Sequence, residues 1–419
     1  MTSAVTPAAT SAFLPAITPV RARAARVAVS ALFVANGVMS ASILPRLPSI
    51  KDNLGLSNGE LGAAVAAMPV GGLIAGGLVG LLIARFGSGR VATVAGVLAA
   101  ATLVTVGLAT SWLTLALAML VLGMFDATMD ASMNAHGIGL QRQYGRSILQ
   151  GFHGMWSVGS LAAAAVGAIA AGAGVPVSVS LAAAAGVTVI MVLVASHWLL
   201  PASVADAPHD TGGDEAIHLR SVPRLLRVLV PIALLGILCV TIQGSAATWS
   251  AVYLAEVLGQ PAGIAASAFV VYMGAMVLGR LTNDRWVDRW GSTTVVRAGA
   301  VIASAGLVLA IVAAPLAAPL LAFAGFGAVG LGSSPMFPVM IGAAGSRPGI
   351  PAGHGVALVA WLVRIGLIFA PAMVGAAADI WGLAAALAIP LVAGVAIALV
   401  APVLTGAPRE RARTPVGAG

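Results

Sequence analysis

A helical membrane fold, twelve spans arranged as two related bundles of six, is predicted from three observations. The first is composition: 60% of the 419 residues are hydrophobic and 8% are charged, where a water-soluble domain carries about 25% charged residues. Lipid-facing surface needs no charge, so a bilayer resolves the deficit. The second is run length. Stretches 91–109, 161–173, 177–195, 301–324 and 383–404 hold no charged residue, and a spanning helix needs about 20 mostly apolar residues. The third is the placement of the arginines, which alternates along the chain as membrane topology requires.

The spans follow in order. Residues 1–26 are rich in Ala, Thr and Pro at the start and lack the basic opening of a signal peptide; a disordered cytoplasmic leader is expected there. The first span is predicted at 27–44. The second, 59–84, begins after the Gly55 turn and stops at Arg85-Phe86-Gly87. The third covers 91–110 and the fourth 112–136, and Gly174 and Pro176 divide the fifth, 150–172, from the sixth, 177–200. After a polar stretch the seventh, 226–254, runs to Gly259-Gln260-Pro261. The eighth, 262–282, is expected to end where Asp284 and Arg285 begin a charged loop. Pro315 separates the ninth, 295–314, from the tenth, 316–344; Gly382 separates the eleventh, 354–380, from the twelfth, 383–404.

With a cytoplasmic N-terminus, every arginine except Arg46 and Arg364 falls in or next to an inner segment, while Arg46 and Lys51 fall outside. Such a bias puts both basic termini inside, and only an even number of spans does so. A basic balance of +8 also raises nucleic-acid binding as a possibility, but the arginines are scattered among short loops and form no single patch. The stretch 201–224 contains His209-Asp210-Thr211-Gly212-Gly213-Asp214-Glu215 and reads as a cytoplasmic linker. It joins an N-terminal bundle, 27–200, to a C-terminal bundle, 225–404, and a tail follows at 405–419. The halves echo each other. Arg85-Phe86-Gly87-Ser88 returns as Arg289-Trp290-Gly291-Ser292, and Leu122-Gly123 has a counterpart in Leu331-Gly332. Internal repeats at half the chain length are a device of alternating-access carriers.

After the eighth span the sequence reads Gly279-Arg280-Leu281-Thr282-Asn283-Asp284-Arg285-Trp286-Val287-Asp288-Arg289-Trp290-Gly291. This resembles the cytoplasmic loop signature of the major facilitator superfamily, Gly-x-x-x-Asp-Arg-x-x-x-Arg-x-Gly, in its second copy, with one residue more between Gly279 and Asp284 than the pattern has. In the first copy Gly80 and Leu81 replace the Asp and Arg, and Arg85, Gly87 and Arg90 remain. The resemblance implies a gating role for Asp284, Arg285 and Arg289. In that family the aspartate meets the positive N-terminus of a neighbouring helix and steadies the outward-open state. Further segments are similar to the bacterial branch that includes the fucose permease: Leu44-Pro45-Arg46-Leu47-Pro48-Ser49-Ile50-Lys51, Asp130-Ala131-Ser132-Met133-Asn134, Phe152-His153-Gly154-Met155-Trp156 and Trp249-Ser250-Ala251-Val252-Tyr253. That branch carries acidic residues near Gln141, Gln243 and Thr248, which this chain lacks.

Ionisable groups inside spans are costly and mark function. Asp126 and Asp130 lie four apart on the fourth span, with Asn134 continuing the stripe. Two close carboxylates repel, which suits one of them to carry a proton; pairing at the inner helix end is the alternative. Arg364, in the eleventh span, either pairs with an aspartate or binds an anionic solute. Asn36, His153, Trp156, Gln243, Trp249 and Tyr272 are further candidates to line a cavity. Ser333-Ser334-Pro335-Met336-Phe337-Pro338 is expected to interrupt the tenth helix, either lining a path or acting as a kink.

The expected function is secondary active transport of a small organic solute, such as a sugar or similar polar compound, across the inner membrane with proton coupling. Export of drugs or metabolites is the alternative. A membrane enzyme is disfavoured by the lack of His-Glu-x-x-His, Gly-x-Ser-x-Gly and Gly-x-x-x-x-Gly-Lys motifs. A membrane sensor is disfavoured by the lack of a loop long enough for a soluble domain. Cys239 is the sole cysteine, which leaves no disulfide framework or thiolate metal site. No cofactor, metal or nucleic-acid partner is expected. The expected partners are the solute, protons and the lipid bilayer, and the expected state is a monomer.

Overall fold

The computed structural model describes residues 18–146, 148–206, 222–347 and 352–406. Among these residues twelve helices are long and apolar enough to cross a membrane, and no strand forms. We number them in chain order: span 1 (Pro19–Leu54), span 2 (Asn58–Phe86), span 3 (Ser88–Gly107), span 4 (Trp112–Tyr144), span 5 (Leu149–Gly172) and span 6 (Val177–Ser196). The second half holds span 7 (Arg227–Glu256), span 8 (Ala262–Trp290), span 9 (Ser292–Ala313), span 10 (Pro319–Gly345), span 11 (Leu358–Trp381) and span 12 (Leu383–Leu404).

Local chemistry sets several ends. The Thr18 hydroxyl accepts from the Arg21 amide, 3.3 Å away, and Pro19 takes the first helical position, where its missing N–H costs nothing. The helix therefore starts within the stretch expected to be a disordered leader, and only 1–17 lies outside the described residues. Ser57 and Glu60 form a reciprocal capping box at the start of span 2. Spans 4 and 8 outrun their predicted ends, reaching Tyr144 and Trp290. The charged segment around Asp284 is thus helix and not loop: once the helix clears the apolar layer, water solvates its charges and the backbone has no cause to break. Span 10 is interrupted as predicted, with helices Pro319–Ser333 and Met336–Gly345. Most of the linker, 207–221, and most of the tail, 407–419, lie outside the described residues.

The packing repeats between halves. In the first half span 2 packs on span 4, span 1 on spans 5 and 6, and span 3 on spans 4 and 6. In the second half span 8 packs on span 10, span 7 on spans 11 and 12, and span 9 on spans 10 and 12. The halves meet along two equivalent seams, span 2 against span 11 and span 5 against span 8. Within a bundle, glycine lets helices touch backbone to backbone: a Cβ on Gly71 or Gly123 would collide with the carbonyls of Leu120 or Met68 across the contact of spans 2 and 4. Large apolar side chains such as Ile169, Leu281, Leu320 and Leu399 point outward, as a lipid-facing surface permits.

Candidate functional site

Span 4 brings Asp126 against span 1. Asn36, buried, donates from Nδ2 to Asp126 Oδ1 at 2.9 Å, and the Ser40 hydroxyl donates to the same oxygen at 3.1 Å. Asn36 and Ser40 are four apart and share a helix face. The Asn36 side-chain carbonyl accepts from Trp156 Nε1 of span 5 at 2.8 Å. One carboxylate oxygen is thereby fixed by a chain running through spans 5, 1 and 4. Asp130, one turn further, is exposed, and the Asn134 amide donates to its backbone oxygen at 2.8 Å and its side chain at 3.1 Å. Opposite, span 11 supplies Arg364, which lies beside Gly72 of span 2 and interacts electrostatically with both carboxylates without an ion-pair contact. The guanidinium opens onto a cavity of about 370 Å³ lined also by Leu73, Gly76, Gly77 and Trp361.

Other predicted residues fall elsewhere. The Gln243 amide donates to the Ser333 carbonyl at 2.9 Å, satisfying an acceptor at the break in span 10, and the Tyr272 hydroxyl donates to the Gln243 carbonyl at 3.1 Å. Tyr272 and Trp249 are 2% and 0% exposed. Both are buried in the second half, and the Trp249 ring lies beside Gly375. His153 is exposed and sets its ring edge-on to Phe33, with centroids 5.2 Å apart.

The residues of the loop signature lie near the end of span 8. Asp284, Arg285 and Arg289 are exposed on span 8, and Arg289 lies over the Trp290 ring at 5.8 Å. Among the described residues no hydrogen bond or ion pair joins Asp284 to a helix N-terminus. The residue that faces span 10 is Asn283, buried, whose Oδ1 accepts from the Ser334 hydroxyl at 3.3 Å. Helical phase accounts for this: one residue turns the side chain by about 100°. Arg280 also differs from its reading as a topology marker. With span 8 continuing to Trp290, it lies ten residues inside the helix end, half-buried.

Contacts of the expected type, a carboxylate at a helix N-terminus, occur at two other places. Ser88 N, opening span 3, donates to Asp206 at 2.9 Å. Nearby, the Leu200 amide donates to His136 Nε2 at 3.1 Å, so Nδ1 carries the proton and donates to the Ser88 hydroxyl at 2.9 Å. At the opposite pole Asp379, closing span 11, accepts from the Ser57 hydroxyl at 2.9 Å and from the Asn58 and Gly59 amides at 2.8 Å each. That carboxylate caps span 2 across the seam between halves. Lys51 and Glu256 form an ion pair across the halves at the same pole. There Gly172 of span 5 also lies against Gly263 of span 8.

A family model described as the Major Facilitator Superfamily matches residues 29–351. The chain belongs to the major facilitator superfamily. Among its relatives are an uncharacterized MFS-type transporter of Yersinia pestis, 29% identical over 85% of this chain and 89% of the relative, and membrane protein MosC of Rhizobium meliloti, 27% identical over 88% of each. Solved structures with the same fold include the nucleoside transporter NupG (TM-score 0.72, 15% identity, 91% of this chain and 98% of that one). A D-xylose-proton symporter scores 0.74 at 17% identity, covering 92% and 98%. A bacterial homologue of the human lysosomal transporter Spinster, in an inward-facing and occupied conformation, scores 0.73 at 13% identity, covering 95% and 100%. The protein is thus a transporter of the major facilitator superfamily, a multi-pass membrane protein whose halves meet around the Asp126–Arg364 region.

Proposed function

We propose that the protein is a secondary active transporter that moves a small polar organic solute by alternating access, driven by protons. The observation that carries the reading is Asp126, a carboxylate held by Asn36 and Ser40 in one half and facing Arg364 of the other. A charge at bilayer depth costs about 2.5–3.5 kcal/mol, so a carboxylate kept there has a task. With Asp130 one turn away, a proton entering the pair changes the attraction between the halves through Arg364. The cavity volume is within the roughly 300–1,000 Å³ typical of small-molecule sites. Solved structures of this fold include carriers whose names give a nucleoside and D-xylose–proton symport, which supports a polar solute of that size.

The arginine bias supports an orientation in a bacterial inner membrane with both termini cytoplasmic and the pole of Asp379, Lys51 and Glu256 outside. In that orientation the contacts joining the halves seal the outer pole, the arrangement of a carrier closed to the outside. Proteoliposomes containing a pH-sensitive dye test the reading: pooled sugars, nucleosides and carboxylates are added under an imposed pH gradient. At least one pool is expected to evoke proton flux that the Asp126→Asn, Asp130→Asn double variant lacks. Silence with every pool, or undiminished flux in the double variant, would sink it.

A further inference from the structure

Resting on that reading and naming its substrate class, we infer that the solute carries an anionic group, carboxylate or phosphate, recognised by Arg280 of span 8. Arg280 is half-buried in span 8, one turn before the solvated charges that begin at Asp284, about 6 Å along the axis. An arginine so placed needs a partner or a water-filled path. Its Nε is buried with no hydrogen-bond partner. No carboxylate pairs with it; among the described residues the ion pair found is Lys51–Glu256. The titratable groups within its electrostatic reach are Tyr272 and Cys239 in its own half and His153 across the seam in span 5. Neither Tyr272, whose hydroxyl donates to Gln243, nor the buried Cys239 thiol supplies an anion. Arg364, by contrast, already has Asp126 and Asp130 within electrostatic range.

Arg364 thus has protein counter-charges, and Arg280 has none among the described residues. An uncompensated guanidinium, with an exposed imidazole of the other half within its electrostatic reach, is complementary to an anion. The guanidinium fork holds planar carboxylate or phosphate oxygens in a bidentate fashion, worth more than a point charge. Because Arg280 belongs to one half and His153 to the other, an anion between them touches both bundles. Its arrival would thus bear on their relative position.

Matched probes test the inference: glucose against glucuronate and glucose 6-phosphate, and glycerol against glycerol phosphate and glycerate. Each is added to purified protein in lipid nanodiscs and read as a shift in melting temperature, since a ligand that binds the folded state raises it. At least one anion is expected to stabilise the protein where its neutral partner does not. In Arg280→Gln the apparent affinity for that anion should fall about tenfold or more, and in Arg280→Lys by several-fold, because the ammonium keeps the charge but loses the fork. Where Arg280→Gln does not fold, Arg280→Lys decides. The inference is overturned if no anion shifts the melting temperature, if the neutral partner stabilises equally, or if the deciding variant binds the anion as the wild type does. Proton flux evoked by a neutral solute and indifferent to Arg280 would overturn it while leaving the transporter reading intact. Flux with no solute at all, despite Arg280-dependent binding, would remove the transporter reading instead.

Discussion

Removing the Asp379 carboxylate should loosen the pole it closes. The group accepts three hydrogen bonds from Ser57, Asn58 and Gly59 across the seam, and bonds to a charged acceptor are worth about 1.5–3 kcal/mol each when shielded. Asp379 is exposed, so water competes, and we assign about 1.5–3 kcal/mol to the whole clamp and not to each bond. At about 1.4 kcal/mol per decade, Asp379→Ala should raise the ratio of open to closed molecules at this pole about ten- to hundredfold. Asp379→Asn keeps one acceptor oxygen and should fall between. Spin labels at Ala63→Cys in span 2 and Ile380→Cys in span 11 lie on the two sides of that seam, and both positions are exposed. Distance distributions from these labels should gain a long component in the variants. The buried Cys239 leaves the introduced thiols as the accessible ones. An open fraction unchanged within twofold in Asp379→Ala would refute the reasoning, and would assign closure to Lys51–Glu256 and the apolar contacts instead.

Three further outcomes are expected. Asp126→Asn should abolish proton-driven accumulation yet keep solute exchange, since the amide oxygen still accepts from Asn36 and Ser40 but carries no exchangeable proton; uphill uptake at the wild-type level would exclude this carboxylate. Gly123→Ala should lower the melting temperature of the purified protein, because its Cβ would enter the Met68 carbonyl, and overpacking costs about 1–3 kcal/mol. Asn283→Leu should slow initial transport rates more than Asp284→Asn at matched expression, as Asn283 is the residue buried against span 10; the reverse order would restore the role that the loop signature implies for Asp284.

Span positions were legible because lipid imposes a length and a polarity on each helix, and charge-free runs such as 177–195 meet both. Helix ends were legible only where a cap or a breaker marks them, as at Ser57 and Gly382. Span 8 has no such mark before Gly291, whose φ of 81° ends it, and the charges at 284–289 look like loop when polarity is the only guide. The candidate site divides by the same logic. Asp126 and Asn36 stand out as polar residues in apolar runs, and they do meet. Ser40 gave no signal, since a serine in a helix commonly bonds its own backbone. Gln243 and Tyr272 stand out equally, and their polar groups donate to backbone carbonyls, Gln243 at the break in span 10, since a polar atom inside a membrane protein needs a partner whether or not a solute passes. Arg280 was hidden by the misplaced helix end.

The seam between spans 2 and 11 behaves like a zip fastener. Asp379 grips the first amides of span 2, Gly375 and Gly62 let the two backbones touch, and Arg364 lies by Gly72 further along. From Asp379 to Arg364 is fifteen residues, about 22 Å of helix. An opening that starts at the exposed aspartate must peel inward towards the arginine. Pro371, midway, lacks the amide that would stiffen the helix there. The Asp379 end of span 11 could therefore swing away as a flap while the part bearing Arg364 keeps its station beside Gly72. Admission and retention of a solute would then be separate acts of one helix, jointed at a proline.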